Sequence, residues 1–175
     1  VTLWSESLAG VSRTQAMAVL SDIHGLPVID RGRIYAVGNS QQMAAIDLRS
    51  GRRIWERQTG GSQTPWLAGD FLFVITSDND LIAVEAKSGS IKWVIPLQRW
   101  GDEEEQTQPV VWSGPILASD RLIIVSSQGW ALSISPYTGE ILGRDHLPDG
   151  VTVAPVAADG TVYFLTDDGS LVAYR

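Results

Sequence analysis

Short apolar runs rich in β-branched side chains recur along the chain at fixed distances from a proline. The four prolines are Pro27, Pro65, Pro115 and Pro155. Seven positions after them stand, in the same order, Ile34, Leu72, Leu122 and Val162. Eighteen positions after them stand Ala45, Ala83, Ser133 and Ala173. The steps between prolines are 38, 50 and 40 residues, so the pattern indicates four copies of one unit, with an insertion at 99–108 in the second.

Each copy predicts four short strands separated by turns. In the first copy, residues 33–37 form a run of β-formers, and residues 30–32, 38–40 and 49–51 carry turn chemistry. Gly51 stands in the last of these turns, where a positive φ is favoured. A helical period is weak throughout, the best segment being 14–20. The pattern therefore predicts antiparallel four-stranded meanders.

Four-stranded repeats of about 40 residues are typical of β-propeller blades, which must stack on one another to bury both faces of each sheet. A β-sandwich also has many short strands, but it has no reason to repeat the same residues in register. We predict an all-β chain, a β-propeller of about four four-stranded antiparallel blades that is part of an eight-blade ring.

The repeat boundaries place residues 1–175 in a single propeller fragment. The predicted repeats are 21–60, 61–109, 110–149 and 150–175, and residues 1–4 match the outer strand of a preceding blade. The chain ends on a third strand, so its two ends are complementary. We expect a truncated piece of a larger propeller or a reciprocal homodimer that shares two blades, rather than a closed four-blade monomer.

Composition narrows the class of partner. The chain has a formal charge of −7, from 13 basic and 20 acidic residues, and no basic cluster, so nucleic acid is not an expected partner. It has no cysteine, which excludes disulfides and thiolate metal sites.

A tryptophan motif accompanies the repeat. Ala45, Gly51 and Trp55 have the same spacing as Ala83, Gly89 and Trp93, and Gly139 is followed by Gly143 at the position of the tryptophan. This spacing resembles the tryptophan-docking repeat of quinoprotein-type (PQQ-repeat) propellers. The resemblance implies that one set of residues docks neighbouring blades, namely Trp4, Trp55, Trp93, Gly51, Gly89 and Gly139.

Within that superfamily, residues 1–4, 47–51, 152–160 and 169–175 resemble the C-terminal half of the BamB family, lipoproteins of the outer-membrane β-barrel assembly machinery. The resemblance implies a non-enzymatic scaffold at the periplasmic face of the outer membrane. Its partner would be the periplasmic domains of the barrel-assembling outer-membrane subunit. Membrane attachment would come only from a lipid anchor in an N-terminal half that is missing here.

Candidate partner-binding residues fall in two places. The family uses an acidic loop before a first strand; Asp22 matches one of its aspartates, and His24 departs from a second. Arg99 and Trp100 border the insertion and form a second candidate surface, because aromatic residues with arginine make interface hot spots. Trp66 and Trp130 lie on strand-like runs and are expected in the core.

Catalytic chemistry has little support in the residues. Quinone-dependent dehydrogenases of this superfamily use adjacent cysteines, which this chain lacks. The acidic run 102–105 is read as a solvated loop rather than a metal cluster, and His24 and His146 have no nucleophile at motif spacing. We predict no catalytic residue, no metal and no cofactor. The alternatives are a carbohydrate- or peptide-binding propeller and an inactive remnant of a quinone-dependent dehydrogenase.

Overall fold

The computed structural model describes residues 1–6, 25–38 and 41–175. Within these ranges the regular structure consists of strands, and inside each sheet consecutive strands pair antiparallel. Sheet I contains β1 (Val28–Asp30), β2 (Arg33–Gly38), β3 (Gln42–Asp47) and β4 (Arg53–Arg57). Sheet II contains β5 (Trp66–Ala68), β6 (Phe71–Ile75), β7 (Asp80–Glu85) and β8 (Ile91–Pro96).

The remaining strands continue the same order. A hairpin contains β9 (Trp100–Asp102) and β10 (Thr107–Pro109). Sheet III contains β11 (Trp112–Ala118), β12 (Arg121–Ser126), β13 (Trp130–Ile134) and β14 (Ile141–His146). Sheet IV has three strands, β15 (Val156–Ala158), β16 (Thr161–Leu165) and β17 (Leu171–Tyr174). Each sheet is a meander, because short turns join consecutive strands.

Sheet II buries both of its faces, and period-2 alternation decides which residue faces which neighbour. One face of sheet II consists of Leu72, Val74, Ile82 and Val84. This face packs against Tyr35, Val37 and Met43 of sheet I. The other face packs against sheet III and consists of Phe73, Ile75, Leu81 and Ala83. A sheet covered on both faces by other sheets is one blade in a stack, not one layer of a two-layer sandwich.

Sheet III repeats this arrangement. Leu122, Ile124 and Leu132 face sheet II, whereas Val125 and Ala131 pack with residues of sheet IV such as Phe164. The chain therefore stacks four sheets in sequence order. The prediction of an all-β fold made of four-stranded antiparallel propeller blades is confirmed, and the weak helical segment 14–20 lies outside the described residues.

The sheets have two distinct ends, because successive turns of a meander alternate between them. We call one the docking end; it carries the turns between first and second strands and between third and fourth strands, such as 31–32 and 48–52. The other is the insertion end, which carries the turns between second and third strands and the links between sheets, including β9 and β10. Over the described ranges, no helix is long and apolar enough to cross a bilayer.

Candidate functional site

Three tryptophans each contact the sheet that follows them in the chain, at the docking end. Trp55 of sheet I donates its indole N–H to the carbonyl oxygen of Ala86 in the β7–β8 turn, at 2.9 Å. Trp93 of sheet II donates in the same way to Pro136 in sheet III, at 3.1 Å. Trp4 donates to Leu48 in sheet I, at 3.0 Å. One contact is thus made three times by equivalent residues.

A glycine lies under each of these rings. Gly51, Gly89 and Gly139 have φ values of 69°, 71° and 79°, which L-residues with a side chain rarely adopt. A Cβ atom on Gly51 would lie 2.5 Å from the Trp4 ring, and one on Gly89 would lie 2.7 Å from the Trp55 ring. On Gly139 it would lie 3.0 Å from Trp93. Backbone conformation and ring contact therefore both require glycine, and we propose that these six residues dock the sheets.

A carboxylate at the start of the β3–β4 turn fixes the turn that receives Trp4. Asp47 accepts hydrogen bonds from the amide and the hydroxyl of Ser50, at 2.8 Å and 2.7 Å. These bonds favour the charged form, so the pKa of Asp47 lies below its ordinary value of 3.8, with the Ser50 hydroxyl as the main cause. In the next sheet, the Ser88 hydroxyl likewise lowers the pKa of Glu85.

We expect Ser50→Ala to raise the pKa of Asp47 toward its ordinary value, because the hydroxyl that stabilises the carboxylate is removed. A carboxyl whose pKa is lowered by folding stabilises the protein above its unfolded pKa and loses this effect as the pH falls through its folded pKa. The part of the stability difference between wild type and variant that depends on this charge should therefore shrink as the pH falls below about 3.8 and be lost below the lowered pKa of Asp47. NMR titration of the carboxyl carbon measures the pKa of Asp47, and urea unfolding at a series of pH values measures the stability. Ser62→Ala, at an exposed position, is the control. An Asp47 pKa that is the same in wild type and Ser50→Ala would contradict the assignment.

The hairpin β9–β10 is fixed at its base. The Asn79 side-chain amide donates to the carbonyl of Val110 at 2.9 Å, and the Gln98 amide donates to the carbonyl of Trp100 at 2.8 Å. The buried Trp112 donates its indole N–H to the carbonyl of Gln98, also at 2.8 Å. These bonds hold both ends of the insertion against sheets II and III.

Arg99 and Trp100 lie side by side at this base. Together with Asn79 and Pro109 they line an open groove of about 320 Å³ at the insertion end. The Arg99 side chain is 55% exposed, and its Nη2 lies 3.9 Å from Oδ1 of Asp80. A partly buried aromatic ring beside an exposed guanidinium on a clamped backbone has the composition of a protein-binding surface.

The other candidate residues are placed differently. Asp22 and His24 lie outside the described residues. Trp66 is 37% exposed, so the expectation that it lies in the core is wrong. Trp130 is partly buried: the Arg144 guanidinium carbon lies 4.4 Å from the centroid of its ring, and the His146 ring meets it edge-on at 4.6 Å.

The acidic run of the insertion forms the tip of the hairpin. Oδ1 of Asp102 accepts the backbone N–H groups of Glu104 and Glu105, both at 3.0 Å, which is an ordinary turn contact. In the part of the chain that the structure describes, no three acidic, histidine or cysteine side chains are grouped as metal ligands. The hydrogen bond from Asn79 could not be predicted from the sequence, because Asn79 stands in the β6–β7 turn, about 20 positions before the insertion.

Stacked four-stranded sheets joined by a tryptophan over a turn glycine define the class: this is a β-propeller protein of the tryptophan-docking kind. A family model described as "Outer membrane protein assembly factor BamB" matches residues 1–95. The chain belongs to this family.

Similar proteins agree with this membership. An outer membrane protein assembly factor BamB from Alkalilimnicola ehrlichii is 26% identical over 88% of this chain and 38% of its own length. The crystal structure of BamB from Moraxella catarrhalis has a TM-score of 0.83 and 17% identity, over 99% of this chain and 49% of that one. A quinohemoprotein alcohol dehydrogenase from Comamonas testosteroni, also at 17% identity, has a TM-score of 0.66 over 82% of this chain and 29% of its own. These two structures share the fold, and the chain spans about two fifths of the length of the curated relative.

Proposed function

We propose that this chain is part of a protein-binding scaffold for the assembly of outer-membrane proteins, and that it carries out no catalysis. The relatives it matches in sequence are named as assembly factors. The dehydrogenase similarity is one of fold and brings no chemistry with it. The scaffold would act at the periplasmic face of the outer membrane, and its partner would be the periplasmic domains of the barrel-assembling outer-membrane subunit.

The observation that carries the proposal is the clamped groove at Arg99 and Trp100. A binding surface gains affinity when its side chains are held in place before the partner arrives, because less conformational entropy is lost on binding. The bonds from Asn79, Gln98 and Trp112 hold the backbone on both sides of this pair. Arg99 offers donors to a partner carboxylate or carbonyl, and Trp100 offers apolar area beside it.

We expect Arg99→Ala and Trp100→Ala each to weaken binding to those periplasmic domains by about thirtyfold, the effect of losing a hot-spot side chain. Both changes leave the backbone bonds of the hairpin in place, so the fold should be retained. Binding is measured by a pull-down and by calorimetry with the full 175-residue chain.

The matched controls are Arg121→Ala and Trp66→Ala, which remove the same side-chain types from exposed positions away from the groove. Binding by wild type that is lost in the groove variants and kept in the controls supports the surface. Binding that is equal in all four variants would place the interface elsewhere. No binding by wild type would count against the proposed function as a whole.

A further inference from the structure

An open pocket of about 320 Å³ lies at the docking end, between sheets II and III. Its walls are apolar and continuous with the core between these sheets; they include Phe71, Phe73, Leu117 and Pro136. Its rim carries Asp70, Asp120 and Tyr137. Among the described residues that line it there is no basic side chain. The pocket thus combines an apolar interior with two carboxylates at its mouth.

At the same place between sheets I and II, two of the protein's own arginines line a smaller pocket of about 170 Å³. Arg33 reaches across from sheet I, and its Nη1 donates to the carbonyl oxygens of Ala86 and Lys87, both at 3.3 Å. Arg31 donates through Nη1 to Oδ1 of Asp70, at 2.8 Å. Between sheets I and II, the guanidinium of Arg33 therefore donates to two carbonyl oxygens of a turn, and that of Arg31 donates to a carboxylate of another turn.

Strand register shows what changes one sheet further on. Arg33 pairs with Asp30 and Phe71 pairs with Ala68, so each is the first residue of the second strand in its sheet. Phe71 thus replaces Arg33, and Gly69 replaces Arg31 in the turn before it. Asp120 in the β11–β12 turn of sheet III has the same position as Asp70 in the β5–β6 turn of sheet II. Between sheets II and III the acidic residue is kept, whereas both arginine positions have lost their guanidinium.

We propose that this pocket binds an arginine side chain presented by a partner protein. Oδ1 of Asp120 accepts the hydroxyl hydrogen of Tyr137 at 2.9 Å, and a carboxylate has lone pairs left for further donors. The guanidinium would donate to Asp120 and lie beside Asp70, whose Oδ1 already accepts from Arg31, and its methylene groups would cover Phe71 and Leu117. The Tyr137 side chain, on a residue that is 72% exposed, stands at the rim beside them.

Charge and geometry favour arginine over other occupants. A purely apolar side chain would cover the Asp120 carboxylate without adding a donor to the Tyr137 hydroxyl, which costs free energy. A planar guanidinium can donate to two acceptors at once, and its weak hydration suits a half-apolar pocket better than an ammonium does. The formal charge of −7 attracts a basic segment at longer range. This pocket lies at the opposite end of the sheets from Arg99 and Trp100, so it is independent of the surface proposed above.

The test uses a small probe, N-acetyl-L-arginine methylamide, added to the full ¹⁵N-labelled chain and followed by amide chemical shifts. We expect saturable shifts at Gly69, Asp120 and Tyr137 with a dissociation constant on the order of 10 mM, as suits one side chain without a peptide around it. N-acetyl-L-citrulline methylamide has the same shape without the charge and is the matched control probe. Equal shifts with both probes, or arginine-specific shifts that map outside the pocket, would overturn the proposal.

Variants of the chain separate the pocket from general attraction by negative charge. Asp120→Asn should weaken the probe about fivefold, since an exposed ion pair is lost. Asp159→Asn in the exposed β15–β16 turn makes the same change in net charge and should leave affinity within about twofold. Equal affinity in wild type and Asp120→Asn would refute the site. Phe71→Arg should place a guanidinium as Arg33 does and abolish probe binding; a melting curve checks that it folds.

Discussion

Trp55→Ala should lower the free energy of unfolding by about 3–5 kcal/mol, the usual cost of removing a buried aromatic side chain. Trp55 is 9% exposed, packs 6.2 Å from Tyr35 between ring centroids, and donates to the Ala86 carbonyl. The substitution leaves a cavity between sheets I and II and removes the shorter of the two side-chain hydrogen bonds to the Ala86 carbonyl, the other coming from Arg33. Domains of this size are stable by about 5–15 kcal/mol, so a large part of the total is lost. Urea unfolding followed by far-UV circular dichroism measures the change.

Trp66→Ala is the matched control for this substitution. Trp66 lies on the first strand of sheet II, is 37% exposed and makes no docking contact within the described part of the chain, and we expect its loss to cost clearly less than the loss of Trp55. If the two variants unfold at the same urea concentration, the docking contact does not hold sheets I and II together. Because both variants lose a tryptophan side chain, any difference in their stability comes from where that side chain lies in the fold.

Gly89→Ala should destabilise the chain by about 2–5 kcal/mol for two separable reasons. Its φ of 71° costs a residue with a Cβ about 1–2 kcal/mol. The new methyl group would also lie 2.7 Å from the Trp55 ring, and overpacking of this kind costs a further 1–3 kcal/mol. The ring or the β7–β8 turn must move to make room.

Gly32→Ala isolates the first of these two costs. Gly32 has a φ of 74°, and a Cβ there would meet nothing within 4 Å. We expect it to cost about 1–2 kcal/mol. The difference between the variants in urea unfolding is the steric contribution of the docked ring. A difference near zero would mean that Trp55 moves aside freely, and then the glycine serves backbone conformation alone.

Much of the fold was predictable because each weak sequence signal occurs several times at the same position of the repeat. A single Gly-to-Trp spacing is a poor predictor, but Gly51 with Trp55 and Gly89 with Trp93 stand in register with prolines and apolar runs. Trp66 shows the limit of this reasoning. In a three-residue strand a shift of one position moves a side chain to the other face, so a strand-like run does not say which residue is buried.

The candidate sites were less predictable. The insertion 99–108 has no apolar alternation, and its pairing of Asp102 with Thr107 depends on the turn at the acidic tip and on the clamp at its base. Arg99 and Trp100 were found as residues, but the groove that they line with Asn79 is a contact between segments about 20 positions apart. No sequence signal indicated the pocket between sheets II and III, because Asp70, Asp120 and Tyr137 come from three turns of two sheets.

The sequence by itself determined the local elements and their repetition, because turn glycines, β-branched runs and docking tryptophans act through spacing along one chain. Tertiary structure alone decided which face of each strand meets which neighbour, and which turns of adjacent sheets come together. Both depend on how the sheets stack. Gly69 and Asp120, for example, line the same pocket only because sheets II and III pack face to face. The physical reason is that side-chain alternation is fixed locally, whereas the surfaces between sheets belong to two sheets at once.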